Sequence, residues 1–157
     1  MHTFKNWLTT LIAILLLPNV ATSADLAKEA YETGKACLEK ADFDAAIAAF
    51  SEALRIDPKN SIAFSHRGRA YGYKGDHDKA IADCTEAIRL NPKLAGAYGN
   101  RGMAYGRKGE HDRAITDSTE AIRLDPKCAV AYHNLGNDYG NKGKYDKAIA
   151  ETLRPSG

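Results

Sequence analysis

Apolar and polar residues follow one another along this chain with a helical period that restarts every 34 residues. Over residues 72–93, Ala80, Ile81, Cys84, Ala87 and Ile88 fall at spacings i, i+1, i+4, i+7 and i+8. They form one apolar stripe on an amphipathic helix. The stretch GYKGDHDKAIADCTEAIRLNPK then returns over residues 106–127 as GRKGEHDRAITDSTEAIRLDPK, with 16 of 22 positions identical. A helix of about 13 residues is marginal in isolation, so packing against neighbours must stabilise it.

Pro58, Pro92 and Pro126 are also 34 residues apart and set the register: units 27–60, 61–94 and 95–128, with an incomplete fourth over 129–157. Each unit predicts two helices. The first, residues 62–73 in the second unit, closes at Lys74-Gly75, where glycine can take the left-handed conformation that satisfies terminal carbonyls. Asp76 is positioned to cap the second helix. That helix stops before Asn91-Pro92, because proline has no N–H to donate and disfavours helix in the residue ahead of it. A unit of this kind cannot cover its own apolar face, so the face is repeated and neighbours cover it.

In register, one first-helix position carries Ala30, Phe64, Tyr98 and Tyr132, and a second carries Gly34, Gly68, Gly102 and Gly136. A third carries Cys37, Tyr71, Tyr105 and Tyr139, while the second helices repeat Ala46, Ala80, Ala114 and Ala148, then Ala53, Ala87 and Ala121. This resembles the tetratricopeptide repeat, W-x2-L-G-x2-Y…A-x3-F…P, over residues 27–153. The resemblance implies an all-α fold: a right-handed α-solenoid of antiparallel helix pairs, three full repeats plus a shortened fourth, with first helices lining the inner surface. The glycine and the first alanine let two backbones approach closely. Departures are informative. The leucine position holds Thr33, Arg67, Arg101 and Leu135, and the phenylalanine position shrinks from Phe50 to Cys84, Ser118 and Thr152. Arg67 and Arg101 occur in the two units that also carry Asp83 and Asp117, which allows either inter-helix ion pairs or arginine stems lying along the surface. The last second helix, residues 145–153, is expected as a cap, with Glu151 and Thr152 in place of larger apolar residues.

The first 24 residues are of another kind. Lys5 is followed by a mainly apolar run over residues 8–17, too short for the roughly 20 residues of a spanning helix, then by Pro18 and small residues. This is the pattern of a signal peptide, with cleavage expected after Ser23 or Ala24, leaving a domain over residues 25–157. The expected destination is periplasmic or secreted, with no stable membrane span after cleavage; the alternative is an uncleaved anchor.

The net charge of +2 and the interleaving of basic with acidic residues leave no basic stripe, so no nucleic-acid partner is expected. Cys37, Cys84 and Cys128 show neither CxxC nor zinc spacing; the first two read as small buried hydrophobes and Cys128 as the more exposed. His77 and His111 share one register position with Phe43 and Tyr145, which suggests packing rather than ligation. No nucleophile, base and orienting acid recur in a catalytic motif, and no phosphate loop or dinucleotide fingerprint is present. An enzyme is therefore not expected, nor a metal or cofactor.

What remains is a binding surface. The first-helix positions left over by the packing stripe are Ser65, His66, Arg69 and Tyr73 in the second unit, and Asn100, Met103 and Arg107 in the third. The fourth contributes His133, Asn134, Asn137 and Asn141. Amides can donate to and accept from a peptide backbone and arginine can grip a carboxylate, so the expected ligand is an extended peptide or partner helix with an acidic side chain or a free C-terminus. Family members that clamp a C-terminal carboxylate use Lys, Asn and Arg on this surface. Asn100 suits such a role, whereas His66 and Gly96 stand where a fuller clamp would carry polar or cationic groups. The alternative is a self-associating structural component, a homo-oligomer.

Overall fold

A computed structural model describes residues 21–143, and the statements below concern those residues. The segment read as a signal peptide lies outside them up to residue 20, and so does the expected capping helix over residues 145–153. Seven helices follow one another: α1 (Ser23–Glu39), α2 (Phe43–Ile56), α3 (Ser61–Lys74), α4 (His77–Leu90), α5 (Ala95–Arg107), α6 (His111–Leu124) and α7 (Ala129–Asn141). No described helix is long and apolar enough to cross a membrane.

The helix ends have local causes. Gly75, Gly109 and Gly143 take φ of +96°, +81° and +69° at the turn between first and second helices, a conformation disfavoured by a Cβ. The first repeat makes the same turn with Ala41 at φ +58°. Asn60 accepts from the Ala63 amide at 3.0 Å and Asp42 from the Ala45 amide at 3.1 Å. Asp76, expected to cap α4 in the same way, makes no such bond; its carboxylate faces Lys79 at 3.3 Å instead. Helix α1 begins at Ser23, ahead of the register start at residue 27, because Thr22 and Asp25 form a reciprocal capping box.

Helices pack as antiparallel pairs, α1 with α2, α3 with α4, α5 with α6, and each second helix packs on the first helix of the next repeat. First helices also touch the first helices of neighbouring repeats, whereas α2, α4 and α6 do not touch one another. The array is therefore an α-solenoid, with first helices on the inside of the curve and second helices on the outside.

Close approach within a pair is achieved at Gly68, where an added Cβ would lie 2.6 Å from Cys84 Sγ and 3.1 Å from the Ala80 carbonyl oxygen. The interior is made largely of alanine, and its largest fully buried side chains are Phe50, Cys84 and Ser118, one register position shrinking along the chain. As that position shrinks, charge enters. Arg67 donates through Nε and an Nη to the two oxygens of Asp83 at 2.7 and 2.8 Å, and its other Nη reaches Ser51 Oγ in the preceding repeat at 3.0 Å. Arg101 repeats this with Asp117 at 2.7 and 2.8 Å and with Thr85 at 3.2 Å. Ion pairing, not simple extension along the surface, is thus what the two arginines do. The guanidinium planes also lie 5.5 and 5.7 Å from the rings of Phe64 and Tyr98.

Candidate functional site

The concave face is a column of first-helix residues, and its spacing decides which side chains are free. Neighbouring first helices are tied together by hydrogen bonds between positions 35 residues apart. The Asn100 amide donates to both the carbonyl oxygen and Oγ of Ser65 at 3.1 Å, and the Asn134 amide donates to the carbonyl oxygen of Gly99 at 3.1 Å. Ser65, Asn100 and Asn134 are consequently buried. The expectation that these residues are unused by packing is corrected here: they are the rungs that set the spacing of the inner helices.

His66 occupies the equivalent rung one repeat earlier. Its Nδ1 lies 3.2 Å from the Tyr31 hydroxyl, its ring stacks on Tyr31 at 5.7 Å, and it tilts against Phe50. Burial, aided by Arg69 and Lys35, lowers its pKa from 6.5 to about 4. Burial likewise raises the Tyr31 pKa, so the phenol stays protonated and donates to a neutral imidazole. His66 is therefore a packed, uncharged group rather than an open contact for a ligand. Because the folded state resists protonation there, its contribution to stability is complete above about pH 6.5, falls as pH drops toward about 4, and is flat below. We expect a loss on the order of 2 kcal/mol across that window relative to His66→Asn, which installs the residue of the next two repeats. Parallel stability–pH curves for the two proteins in urea titrations would show the coupling to be absent.

Further along the curve the face opens into a cleft of about 640 Å³. The structure gathers seven of the expected site residues around it: Tyr73, Met103 and Arg107 from α3 and α5, then His133, Asn134, Asn137 and Asn141 from α7. Ser65, His66, Arg69 and Asn100 lie outside it. Tyr73 is largely exposed and stacks on Phe43 at 5.4 Å; the amide of Asn137 donates to His133 Nε2 at 3.0 Å. Four lining residues escaped the sequence reading: Gly106, Ala129, Val130 and Asp138. Asp138 had a visible signal, since it replaces the alanine of Ala36, Ala70 and Ala104 in the same register. Its carboxylate is buried and Oδ1 meets His111 Nδ1 at 2.9 Å. Desolvation raises its pKa, an effect opposed by His111.

Among the described arginines, six grip a carboxylate: Arg55, Arg67, Arg89, Arg101, Arg113 and Arg123. Arg69 and Arg107 do not, and both belong to inner helices. Arg69 Nε is buried without a hydrogen-bond partner among the described residues.

Family profiles described as tetratricopeptide repeat match residues 61–94, 95–128 and 129–151, and one described as TPR repeat matches residues 34–75. The chain belongs to the tetratricopeptide-repeat family. No curated protein matches it in sequence. Among solved structures, the crystal structure of MamA is similar at 28% identity and TM-score 0.70, over 80% of this chain and 74% of that one. The Arabidopsis OM64 TPR domain is similar at 22% identity and TM-score 0.73, over 76% and 99%. The first TPR of Spaghetti (RPAP3), solved bound to the HSP90 peptide SRMEEVD, is similar at 23% identity and TM-score 0.72, over 80% and 99%. The last two likenesses bear on the fold alone. Within the tetratricopeptide-repeat array, the helix pairs are thus shared with these proteins, while the cleft residues are this chain's own.

Proposed function

We propose that this tetratricopeptide-repeat chain is an exported, non-enzymatic scaffold whose inner surface holds an extended peptide or partner helix bearing an acidic side chain or a free C-terminus. The observation that carries the reading is the pair of arginines, Arg69 and Arg107, left without carboxylates on the concave face when every other described arginine has one. A planar guanidinium is suited to bidentate capture of a carboxylate, and Asn137 and Asn141 beside Arg107 supply amides for a peptide backbone. The structure of a similar repeat domain with an HSP90 peptide ending in EEVD supports a peptide ligand.

The test is a display library of short peptides with free C-termini, selected on the full-length chain. Acidic sequences are expected to be enriched, and Arg69→Ala combined with Arg107→Ala is expected to weaken them tenfold or more, the scale of lost charge-assisted hydrogen bonds. Enrichment without acids, or equal binding by the folded double variant, rejects the reading. Export is tested separately by the mass of the protein recovered from its native host, which for a cleaved leader lacks residues 1–23 or 1–24.

Self-association has one observation of its own. Arg67 and Arg101 show that this side of a first helix faces the preceding repeat, yet on α1 the corresponding side, with Leu26, Ala30 and Ile56, opens into a cleft of about 520 Å³. Leu26 is 46% exposed there. A second copy stacking on this end would give a mass that rises with concentration in light scattering; a constant monomer mass rejects it.

A further inference from the structure

The cleft between α5 and α7 holds two opposite charges that do not meet. Arg107, exposed at its edge, has no carboxylate partner, and Asp138, 96% buried by its 4% relative exposure, does not reach it. Asp138 spends one oxygen on His111, and Oδ2 accepts no hydrogen bond from a described residue while lining the cleft. A carboxylate placed where the other repeats have alanine, with half its hydrogen-bonding capacity turned toward a cavity, is a costly feature unless something donates to it. Space for it comes from Gly106, where a Cβ would lie 2.7 Å from Oδ1. The walls on the way to it are apolar: Tyr73, Met103 and Val130, two of them about half exposed.

We infer that Asp138 is a specificity-determining receptor for a lysine or arginine side chain of the bound segment, so that the ligand carries a basic residue close to its acidic one. An aliphatic stem ending in a cation fits this cleft as no shorter donor does: the methylenes lie along Tyr73, Met103 and Val130, and the cation reaches Oδ2. The carboxylate nearby in the same segment then meets Arg107. Selection is mutual, because a segment with only acids faces the buried negative charge of Asp138 and one with only bases faces Arg107. This inference rests on the concave face being the ligand surface, but not on its preference for acids.

The experiment uses the full chain and four labelled sets of short peptides, in which a scanned position is Lys or norleucine and the C-terminus is Asp or the uncharged asparagine amide. Fluorescence anisotropy reads each affinity for the parent, for Asp138→Ala and for Arg107→Ala. Asp138→Ala restores the residue found in the three preceding repeats, so the fold is expected to persist, and circular dichroism checks that it does. In the parent, Lys over norleucine at one scanned position is expected to favour binding by about tenfold to a hundredfold, the range for a hydrogen bond to a charged group. Asp138→Ala should abolish this ratio and Arg107→Ala should leave it, while the reverse holds for the ratio of acid to amide. A lysine ratio that depends on Asp138 without any acid ratio supports this inference and rejects the acidic-ligand reading. An acid ratio with no lysine ratio, or a lysine ratio that survives Asp138→Ala, overturns the inference and leaves that reading standing. Failure of all four sets to bind overturns both.

Discussion

Replacing Gly68 by valine is expected to destabilise the whole array by about 3 kcal/mol or more, a large share of the roughly 5–15 kcal/mol that holds a domain of this size folded. The Cβ alone would sit 2.6 Å from Cys84 Sγ, 3.1 Å from the Ala80 carbonyl oxygen and 3.4 Å from Asp83 Cβ. Cys84 is fully buried, and the thiol has nowhere to turn. The same burial pushes its pKa up to about 12, which keeps it an inert thiol. The carbonyl belongs to backbone, so relief requires α3 and α4 to separate. Separation would draw Arg67 away from Asp83 and open the alanine-lined interior on both sides. The internal control is Gly96→Ala, on α5, where an added Cβ meets nothing within 4 Å. There only helix propensity changes, and a gain of up to about 1 kcal/mol is expected. Chemical denaturation of the two variants should therefore shift the midpoint in opposite directions. A Gly68→Val protein as stable as the parent would mean that the helices are not in contact at this point.

Why some features of this molecule are legible in its sequence and others not is a matter of distance along the chain. The register was readable because Gly75, Pro92 and the alanines at 80 and 87 act through sterics within a few residues of themselves. The Arg67–Asp83 pair was readable because both members enter the repeat together and leave it together. The rungs were not. Asn100 and Ser65 are one repeat and one residue apart, and a polar residue on an inner helix reads the same whether it faces solvent or donates to a neighbouring carbonyl. His66 was taken as part of the ligand surface for the same reason, although the Tyr31 ring covers it. Asp138 was overlooked for the opposite one: attention followed the positions where the repeat is polar, and this carboxylate stands where the repeat is alanine. Asp76 shows a local limit, since an N-cap residue type does not fix its rotamer, and Lys79 three residues on offers its side chain another partner.

Asp83→Ala is expected to cost about 2–4 kcal/mol, while the double variant Asp83→Ala with Arg67→Leu should lie within about 1 kcal/mol of the parent. Removing the aspartate leaves the Arg67 guanidinium held by Ser51 alone, with its side chain 19% exposed and unable to recover full hydration. Breaking a fully buried pair costs about 3–5 kcal/mol, and the remaining exposure of Arg67 lowers the expectation here. The hydrogen bonds from Asp83 also raise the arginine's pKa, so the cation cannot escape by releasing its proton. The double variant removes both charges and uses solutions the chain already contains, for Leu135 fills the arginine position in the fourth repeat and Ala49 the aspartate position in the first. The first repeat manages without the pair because Phe50 fills the space that Cys84 leaves; a leucine at 67 provides part of that volume. Coupling is read from a double-mutant cycle in urea, together with salt dependence, which should be weak here and stronger for an exposed pair such as Arg89–Glu86. If the losses from Asp83→Ala and Arg67→Leu simply add, the two side chains act independently, and the ion pair is not what joins α3 to α4.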